Sequence, residues 1–64
     1  MNTWHMVGES PEGYATGEPV EYLHGHGDYL QGHVVAWDDA GRMKIRDDDT
    51  GDTMIGWTDQ VQEI

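Results

Sequence analysis

Two histidines in a glycine-rich segment are the first residues whose spacing suggests chemistry. His24 and His26 are separated by one residue, and Asp28 and His33 follow a short distance along the chain. Alternate residues of an extended segment point the same way, so the two imidazoles could share a metal ion. Zinc, however, needs a full set of firmly held ligands, which a glycine-rich loop does not supply. We therefore interpret the segment as a solvated loop without metal or other cofactor, and keep both histidines as candidate ligand-binding residues.

A second cluster is acidic and lies between residues 47 and 52. Asp47, Asp48, Asp49 and Asp52 offer the oxygen ligands that calcium prefers. Their spacing does not match an EF-hand loop, which requires a glycine and a glutamate at fixed positions. Aspartates in a tight turn commonly accept hydrogen bonds from their own backbone. We interpret this cluster as the tip of a hairpin.

The sequence contains no candidate residues for nucleophilic or acid–base catalysis. Ser10 is the only serine, and it lies in a Ser-Pro-Glu-Gly segment typical of a turn, with no histidine that the sequence places beside it. Catalytic carboxylates need a shifted pKa, which solvated aspartates do not have. The chain is therefore predicted not to be an enzyme.

Aromatic residues provide a better candidate site. Tyr22, Tyr29, Trp37 and Trp57 could line a groove, because aromatic rings stack on peptides, cations and bases. The chain has no phenylalanine, so some of these rings are needed in the core, and we expect two of the four to be buried. The others, together with the histidine loop, are predicted to form a ligand-binding rim.

The net charge of the chain favours some classes of binding partner over others. Thirteen acidic residues face three basic ones, for a formal net charge of −10. Such a surface repels phosphate backbones, which disfavours nucleic acid, and it attracts basic proteins or peptides. Solubility alone could also account for the acidity, as could a halophilic host whose proteins are generally acidic. The basic residues Arg42, Lys44 and Arg46 form one stripe that pairs with carboxylates of neighbouring strands or, alternatively, contacts an acidic partner.

The length of 64 residues predicts one domain with a small core, and the absence of cysteine excludes disulfides. A homodimer would add buried surface to so small a core. No run approaches the roughly 20 apolar residues that cross a bilayer. The first residues also lack the basic region of a signal peptide. We therefore expect a cytoplasmic protein with no membrane partner.

The candidate site residues are predicted to lie on short strands that are separated by glycine-containing turns. Strand-like segments cover 19–23, 29–37, 42–46 and 52–57, and a helical turn at 58–61, capped by Thr58, precedes a short closing strand. The turns at 38–41 and 48–51 end in glycine, which supplies the positive φ of a hairpin loop. Met43 and Ile45 alternate with the three basic residues, which predicts a half-buried strand. Residues 1–16 are predicted to form an N-terminal arm or extra hairpin, and residues 17–64 a barrel.

The order of these segments resembles the Tudor and agenet group of SH3-like barrels. The motifs that carry the resemblance cover most of the chain: Glu18-Pro19-Val20-Glu21-Tyr22, Gly27 to Val35, Asp39 to Ile45, and Asp48-Asp49-Thr50-Gly51. The resemblance implies an all-β fold, a small five-stranded SH3-like (Tudor-like) barrel with a short N-terminal extension.

Members of this group that read methylated lysine or arginine use an aromatic cage. At the matching positions this chain has Leu23, Leu30, Asp47 and Thr50, so methyl-mark reading is not implied. We expect a non-catalytic binding module that recognises a protein or peptide of basic character through its aromatic rim. The alternatives are a nucleic-acid-binding SH3-like domain, an acidic mimic of DNA, or an accessory subunit that modulates another protein.

Overall fold

The computed structural model describes residues 3–25 and 27–64, with only the backbone of His24. Within these residues the chain is all-β. Its elements are β1 (Pro19–His24), β2 (Asp28–Trp37), β3 (Arg42–Asp47), β4 (Thr53–Trp57), a 3-10 helix (Thr58–Gln60) and β5 (Val61–Glu63). The strands form one antiparallel sheet in the order β4-β3-β2-β1-β5. The predicted five-stranded all-β fold is confirmed and fits a small SH3-like domain. The sheet is not closed, so β4 and β5 are its edges.

Strand β2 is long because its two halves belong to different parts of the sheet. The first half pairs with β1, from His24↔Asp28 to Pro19↔His33, and the second half pairs mainly with β3. The register with β3 shifts between Val34 and Ala36, so that one extra residue is inserted in β2. Such a bulge bends a strand and increases its twist. The bend lets both halves of the sheet curl around a common core.

The alternation predicted for β3 is confirmed. Met43 and Ile45 are buried, whereas Arg46 is exposed and Arg42 and Lys44 are half-buried on the opposite face. The core cluster consists of Val20, Tyr22, Val34, Met43, Ile45 and Val61. Six side chains make a small core, which agrees with the prediction from chain length.

Glycines close both hairpin turns as predicted. Gly41 has φ of 91° and Gly51 has φ of 78°, a region that other residues seldom adopt. The first turn is also organised by the buried carboxylate of Asp38, which accepts hydrogen bonds from the backbone N–H groups of Ala40 and Arg42 at 3.0 and 2.8 Å. Side-chain acceptance of turn N–H groups explains why an aspartate begins this turn.

The single helical turn is present, but its start differs from the prediction. Thr58 is not its cap but the first residue of the 3-10 helix, with Trp57 before it. The backbone N–H of Trp57 donates to Oε1 of Gln60 at 3.1 Å. A carboxamide that folds back from the end of the helix therefore satisfies this N–H.

The N-terminal segment packs against the sheet. In a tight turn, Ser10 N donates to Tyr14 O at 2.8 Å and Thr16 N donates to Gly8 O at 3.0 Å. Farther upstream, His5 exchanges two backbone hydrogen bonds with Trp37, of 2.7 and 3.0 Å. The arm thus shares backbone hydrogen bonds with β2. Over the residues that the structure covers, there is no helix of the length and apolar character that a bilayer crossing requires.

Candidate functional site

The four aromatic residues predicted to form a rim lie in different environments. Tyr22 is buried, and its hydroxyl donates to Asp47 Oδ2 at 2.6 Å. Trp37 is half-buried, packs against the core, and stacks on His5 with 4.2 Å between ring centroids. Tyr29 and Trp57 are about half exposed, at 48% and 51%. Tyr22 is therefore a core residue, and of the four only Tyr29 and Trp57 expose about half of their surface to solvent.

The structure does not bring these residues to one rim. Tyr29 pairs with Leu23 at the start of β2, whereas Trp37 lies at the other end of the same strand. Trp57 pairs with Arg42, next to the turn that follows Trp37. The predicted contributions of the His24 side chain and of His26 lie outside the described residues. The exposed aromatic surface at the β4 end is therefore centred on Trp57.

The register of β3 and β4 identifies the open backbone groups of β4. At one end, Asp47 N donates to Asp52 O at 2.8 Å, and at the other, Thr58 N donates to Gly41 O at 2.9 Å. Hydrogen-bonded and non-hydrogen-bonded pairs alternate in an antiparallel ladder, so the even-numbered residues of β4 bond to β3. The residues whose N–H and C=O groups point away from the sheet are Thr53, Ile55 and Trp57.

The opposite edge of the sheet, β5, is covered at Val61 by other parts of the chain. On β5, Val61 N donates to Thr58 O, and Val61 O accepts a hydrogen bond from the hydroxyl of Tyr14 at 3.1 Å. The N-terminal turn and the 3-10 helix together satisfy groups that an edge strand would otherwise expose. Burial and the nearby carboxylates of Glu63 and Glu18 raise the pKa of Tyr14, so this phenol stays a donor at neutral pH. Glu63, which alternation places on the same side of β5 as Val61, carries a charge, whereas β4 carries none, so β4 is the less protected of the two edges.

Ile55 and Trp57 make the outer face of β4 apolar. Their exposed fractions are 58% and 51%, and they lie opposite Lys44 and Arg42 in the register. The ring of Trp4 covers both cations, at 4.6 Å from Lys44 Nζ and 5.3 Å from the Arg42 guanidinium carbon. Cation–π contacts of this kind hold the arm over β3. Trp4 therefore lies on the same face of the sheet as Ile55 and Trp57, with Lys44 and Arg42 between them.

A small cleft opens on the inner face of β4. Its volume is about 110 Å³. The residues that line it are Tyr22, Leu23, Ile45, Met54, Ile55, Gly56, Gln60 and Val61. Its walls combine apolar side chains with about as much polar surface, and the carboxamide of Gln60 is the polar side chain that lies beside β4. The cleft lies in the gap that an incompletely closed sheet leaves between β4 and the β1–β5 pair.

The basic stripe is partly neutralised. Nε of Arg42 donates to Asp38 Oδ2 at 2.9 Å. Burial acts to raise the pKa of Asp38, but hydrogen bonds from Arg42 and Ala40 lower it below its usual value, so the pair is ionised at neutral pH. Among the described residues, neither Lys44 nor Arg46 forms a salt bridge. The predicted pairing of the stripe with carboxylates of neighbouring strands is therefore not observed for these two residues.

The acidic cluster forms the β3–β4 turn. Asp47 is buried, and its Oδ1 accepts hydrogen bonds from the backbone N–H groups of Asp49 and Thr50 at 2.8 and 3.0 Å. Asp48 instead bonds His33, with 2.7 Å between Oδ1 and Nδ1. The described residues contain no group of three or more histidines and carboxylates placed to hold a metal ion. The interpretation of this cluster as a hairpin tip agrees with the contacts of Asp47.

Comparison with protein-family models, with curated proteins and with solved structures found no significant match.

Proposed function

We propose that the chain is a non-catalytic interaction module of the SH3-like, Tudor-like type that binds an extended segment of a partner protein at β4. The bound segment adds a strand to the sheet and pairs with the open backbone groups of Thr53 and Ile55. Strand addition is a common mode of peptide recognition, in which main-chain hydrogen bonds supply affinity and side-chain contacts supply selectivity.

The open edge of β4 is the observation that carries this proposal. Exposed edges invite aggregation, and proteins usually protect them with charges, prolines or covering segments. Here Val61 on β5 is covered by Tyr14, whereas β4 contains no charged residue and no proline and presents Ile55 and Trp57. An uncovered, uncharged and partly apolar edge, opposite one that is partly covered, supports a binding role for β4.

Charge favours a basic segment as the occupant. β4 is preceded by Asp52 and followed by Asp59, in a chain whose net charge is −10. A second copy of this chain, paired antiparallel through β4, would bring acidic residues together at both ends of the new ladder. A partner with lysine or arginine at its ends would meet carboxylates there and associate faster.

Phosphate is a weaker candidate ligand than a peptide. Arg42 is paired with Asp38, and the Trp4 ring covers the cationic ends of Arg42 and Lys44. Only Arg46 is left as an exposed cation on β3. Nucleic-acid affinity depends on several basic contacts to phosphates, which this face does not offer.

The proposal is tested with a synthetic peptide of alternating threonine and valine with a lysine at each end. Titration into the protein, followed by calorimetry and by amide hydrogen exchange, is expected to show binding and slower exchange at the amides of Thr53 and Ile55. Affinity should fall as salt rises, because charge steering is screened. A peptide with glutamate in place of both lysines should bind more weakly.

Ile55→Pro and Ile55→Thr form a matched pair of variants. Both remove the isoleucine side chain, but only proline removes the outward N–H, at an edge position where proline is tolerated. We expect Ile55→Pro to weaken binding about tenfold more than Ile55→Thr, the worth of one hydrogen bond in a bound strand. Equal affinities of the two variants, or a homodimer through β4 in place of peptide binding, would contradict the proposal.

A further inference from the structure

We infer that the cleft beneath β4 receives one aliphatic side chain of the bound segment in preference to an aromatic one. This inference rests on the proposed function, because it concerns the inward-pointing residues of a strand paired with β4. It goes beyond that function by naming the side-chain class that the module selects.

The position of the cleft relative to β4 is the first argument. Met54 and Gly56 are the inward-facing residues of the strand, and both line the cleft. In an added antiparallel strand, residues opposite them would point inward, with β-carbons about 4.5–5.5 Å from their neighbours. Gly56 has no side chain, and the neighbour that a β-carbon there would meet is the end of the flexible Gln60 side chain, at 3.4 Å.

The size of the cleft is the second argument. A cavity of about 150 Å³ lined by aliphatic and aromatic side chains binds benzene. The cleft here has a volume of about 110 Å³, roughly a quarter smaller, so we expect a valine or leucine side chain to fit it better than the larger side chain of phenylalanine. Its walls include Ile45, Met54 and Val61, whose apolar atoms favour an aliphatic occupant over a polar one.

Gln60 fixes where the added strand ends. Its Oε1 already accepts the outward N–H of Trp57 at 3.1 Å, so a partner strand finds this donor occupied. The carboxamide nitrogen of Gln60 donates no hydrogen bond to any residue that the structure describes. It can therefore donate to a main-chain carbonyl of the bound segment at the rim of the cleft. The consequence is a short pairing over Thr53 to Ile55, with one anchor residue beside Gly56.

The experiment uses the lysine-flanked peptide with its central residue changed to leucine, phenylalanine or alanine. We expect the leucine peptide to bind about tenfold more tightly than the phenylalanine or the alanine peptide, a ratio typical of small apolar pockets. Met54→Ala enlarges the cleft and should bring the phenylalanine peptide to the affinity of the leucine peptide or above it. Met6→Ala, on the arm and 67% exposed, is the matched control and should leave the ratio unchanged.

Gly56→Ala provides a second variant, whose fold is expected to be intact. Its added methyl group meets only Oε1 of Gln60, at 3.4 Å, and narrows the cleft. The preference for leucine over alanine should then shrink several-fold. Equal binding of all three peptides, or a preference that neither cleft variant alters, would overturn the inference while leaving strand addition at β4 intact. Failure of every peptide to bind would instead refute the proposed function, and the inference with it.

Discussion

Gly32→Ala is expected to destabilise the protein more than any other single methyl addition. Gly32 lies in β2 opposite Asp47, where the backbones of β2 and β3 approach closely. A β-carbon at this position would lie 2.5 Å from the carbonyl oxygen of Arg46 and 2.7 Å from Cγ2 of Ile45. The first contact is with backbone of the central ladder, and the second is with a buried core side chain. The carbonyl oxygen cannot move without separating the two strands.

The expected cost of Gly32→Ala is about 3 kcal/mol, at the upper end of what overpacking in a core produces. A domain is stable by on the order of 0.05–0.15 kcal/mol per residue, or about 3–10 kcal/mol for 64 residues. The variant should therefore lose between about a third and all of the domain's stability. Urea denaturation followed by tryptophan fluorescence measures this loss, and a marked shift of the midpoint at unchanged slope is the expected result.

Gly56→Ala is the matched control for this prediction. Both glycines lie within strands, and neither has a positive φ. The β-carbon at position 56 would meet only the end of a flexible glutamine, at 3.4 Å. We expect a change in unfolding free energy within about 0.5 kcal/mol, as for substitutions away from strained features. Similar unfolding midpoints for the two variants would show that the close approach at Gly32 is relieved by local movement.

The sequence predicted the strands better than it predicted the role of each glycine. Strand positions follow from the period-two alternation, as in Arg42 to Arg46, and the turn glycines follow from the need for positive φ at Gly41 and Gly51. For Gly32 the sequence alone indicates only that β2 can bend there. Its close contacts depend on the neighbouring strand, which no local pattern specifies.

The sequence predicted the candidate site less well than it predicted the fold. The period-two alternation of β4 puts Ile55 and Trp57 on one face of the strand. Whether β4 is an edge of the sheet depends on the order of all five strands, which the sequence of β4 does not specify. That β5 is covered by Tyr14 depends on a contact across 47 positions of sequence. The role of Gln60 likewise depends on the 3-10 helix folding back on Trp57. Residue types indicated the aromatic candidates, and only the tertiary structure separated buried Tyr22 from exposed Trp57.

Asp47 shows how one buried side chain connects the core to the turn that leads into β4. Its Oδ2 accepts the hydroxyl of Tyr22 from β1, while its Oδ1 holds the turn that leads into β4. The sequence indicated a hairpin tip whose aspartates bond their own backbone, but not that Asp47 would be buried, at only 6% exposed. A buried carboxylate is tolerated here because hydrogen bonds satisfy both of its oxygens. The position of β4 therefore depends on a polar contact within the core.

Tyr22→Phe is expected to cost about 1.5–3 kcal/mol at neutral pH, because it removes a hydrogen bond to a charged group. The ring and its packing are kept, so the loss reports on the 2.6 Å bond to Asp47. Urea denaturation measures the difference between the two proteins. Tyr29→Phe is the matched control, since its ring is 48% exposed and its hydroxyl bonds to no described residue, and it should stay within about 0.5 kcal/mol of the parent.

The difference in unfolding free energy between the parent protein and Tyr22→Phe should also depend on pH, in the acid range and in the alkaline range. The Tyr22 hydroxyl, and then the turn N–H groups, lower the pKa of Asp47 below its ordinary value of 3.8. This carboxylate therefore stabilises the fold fully above that value, and the stabilisation fades as pH falls through the lower folded pKa. Burial, and then the bond to Asp47, raise the pKa of Tyr22 from 10.0 to about 12. Its contribution is complete below pH 10 and is lost as pH rises toward about 12.

The parent protein should consequently lose more stability than Tyr22→Phe both in acid and in alkali, and the gap between them should be widest at intermediate pH. In acid the gap narrows because protonated Asp47 no longer accepts a charge-assisted bond. In alkali it narrows because the phenol must ionise next to a carboxylate, which phenylalanine cannot do. Unfolding free energies of the two proteins that run parallel across the whole pH range would contradict the assignment of this bond as the link between core and turn.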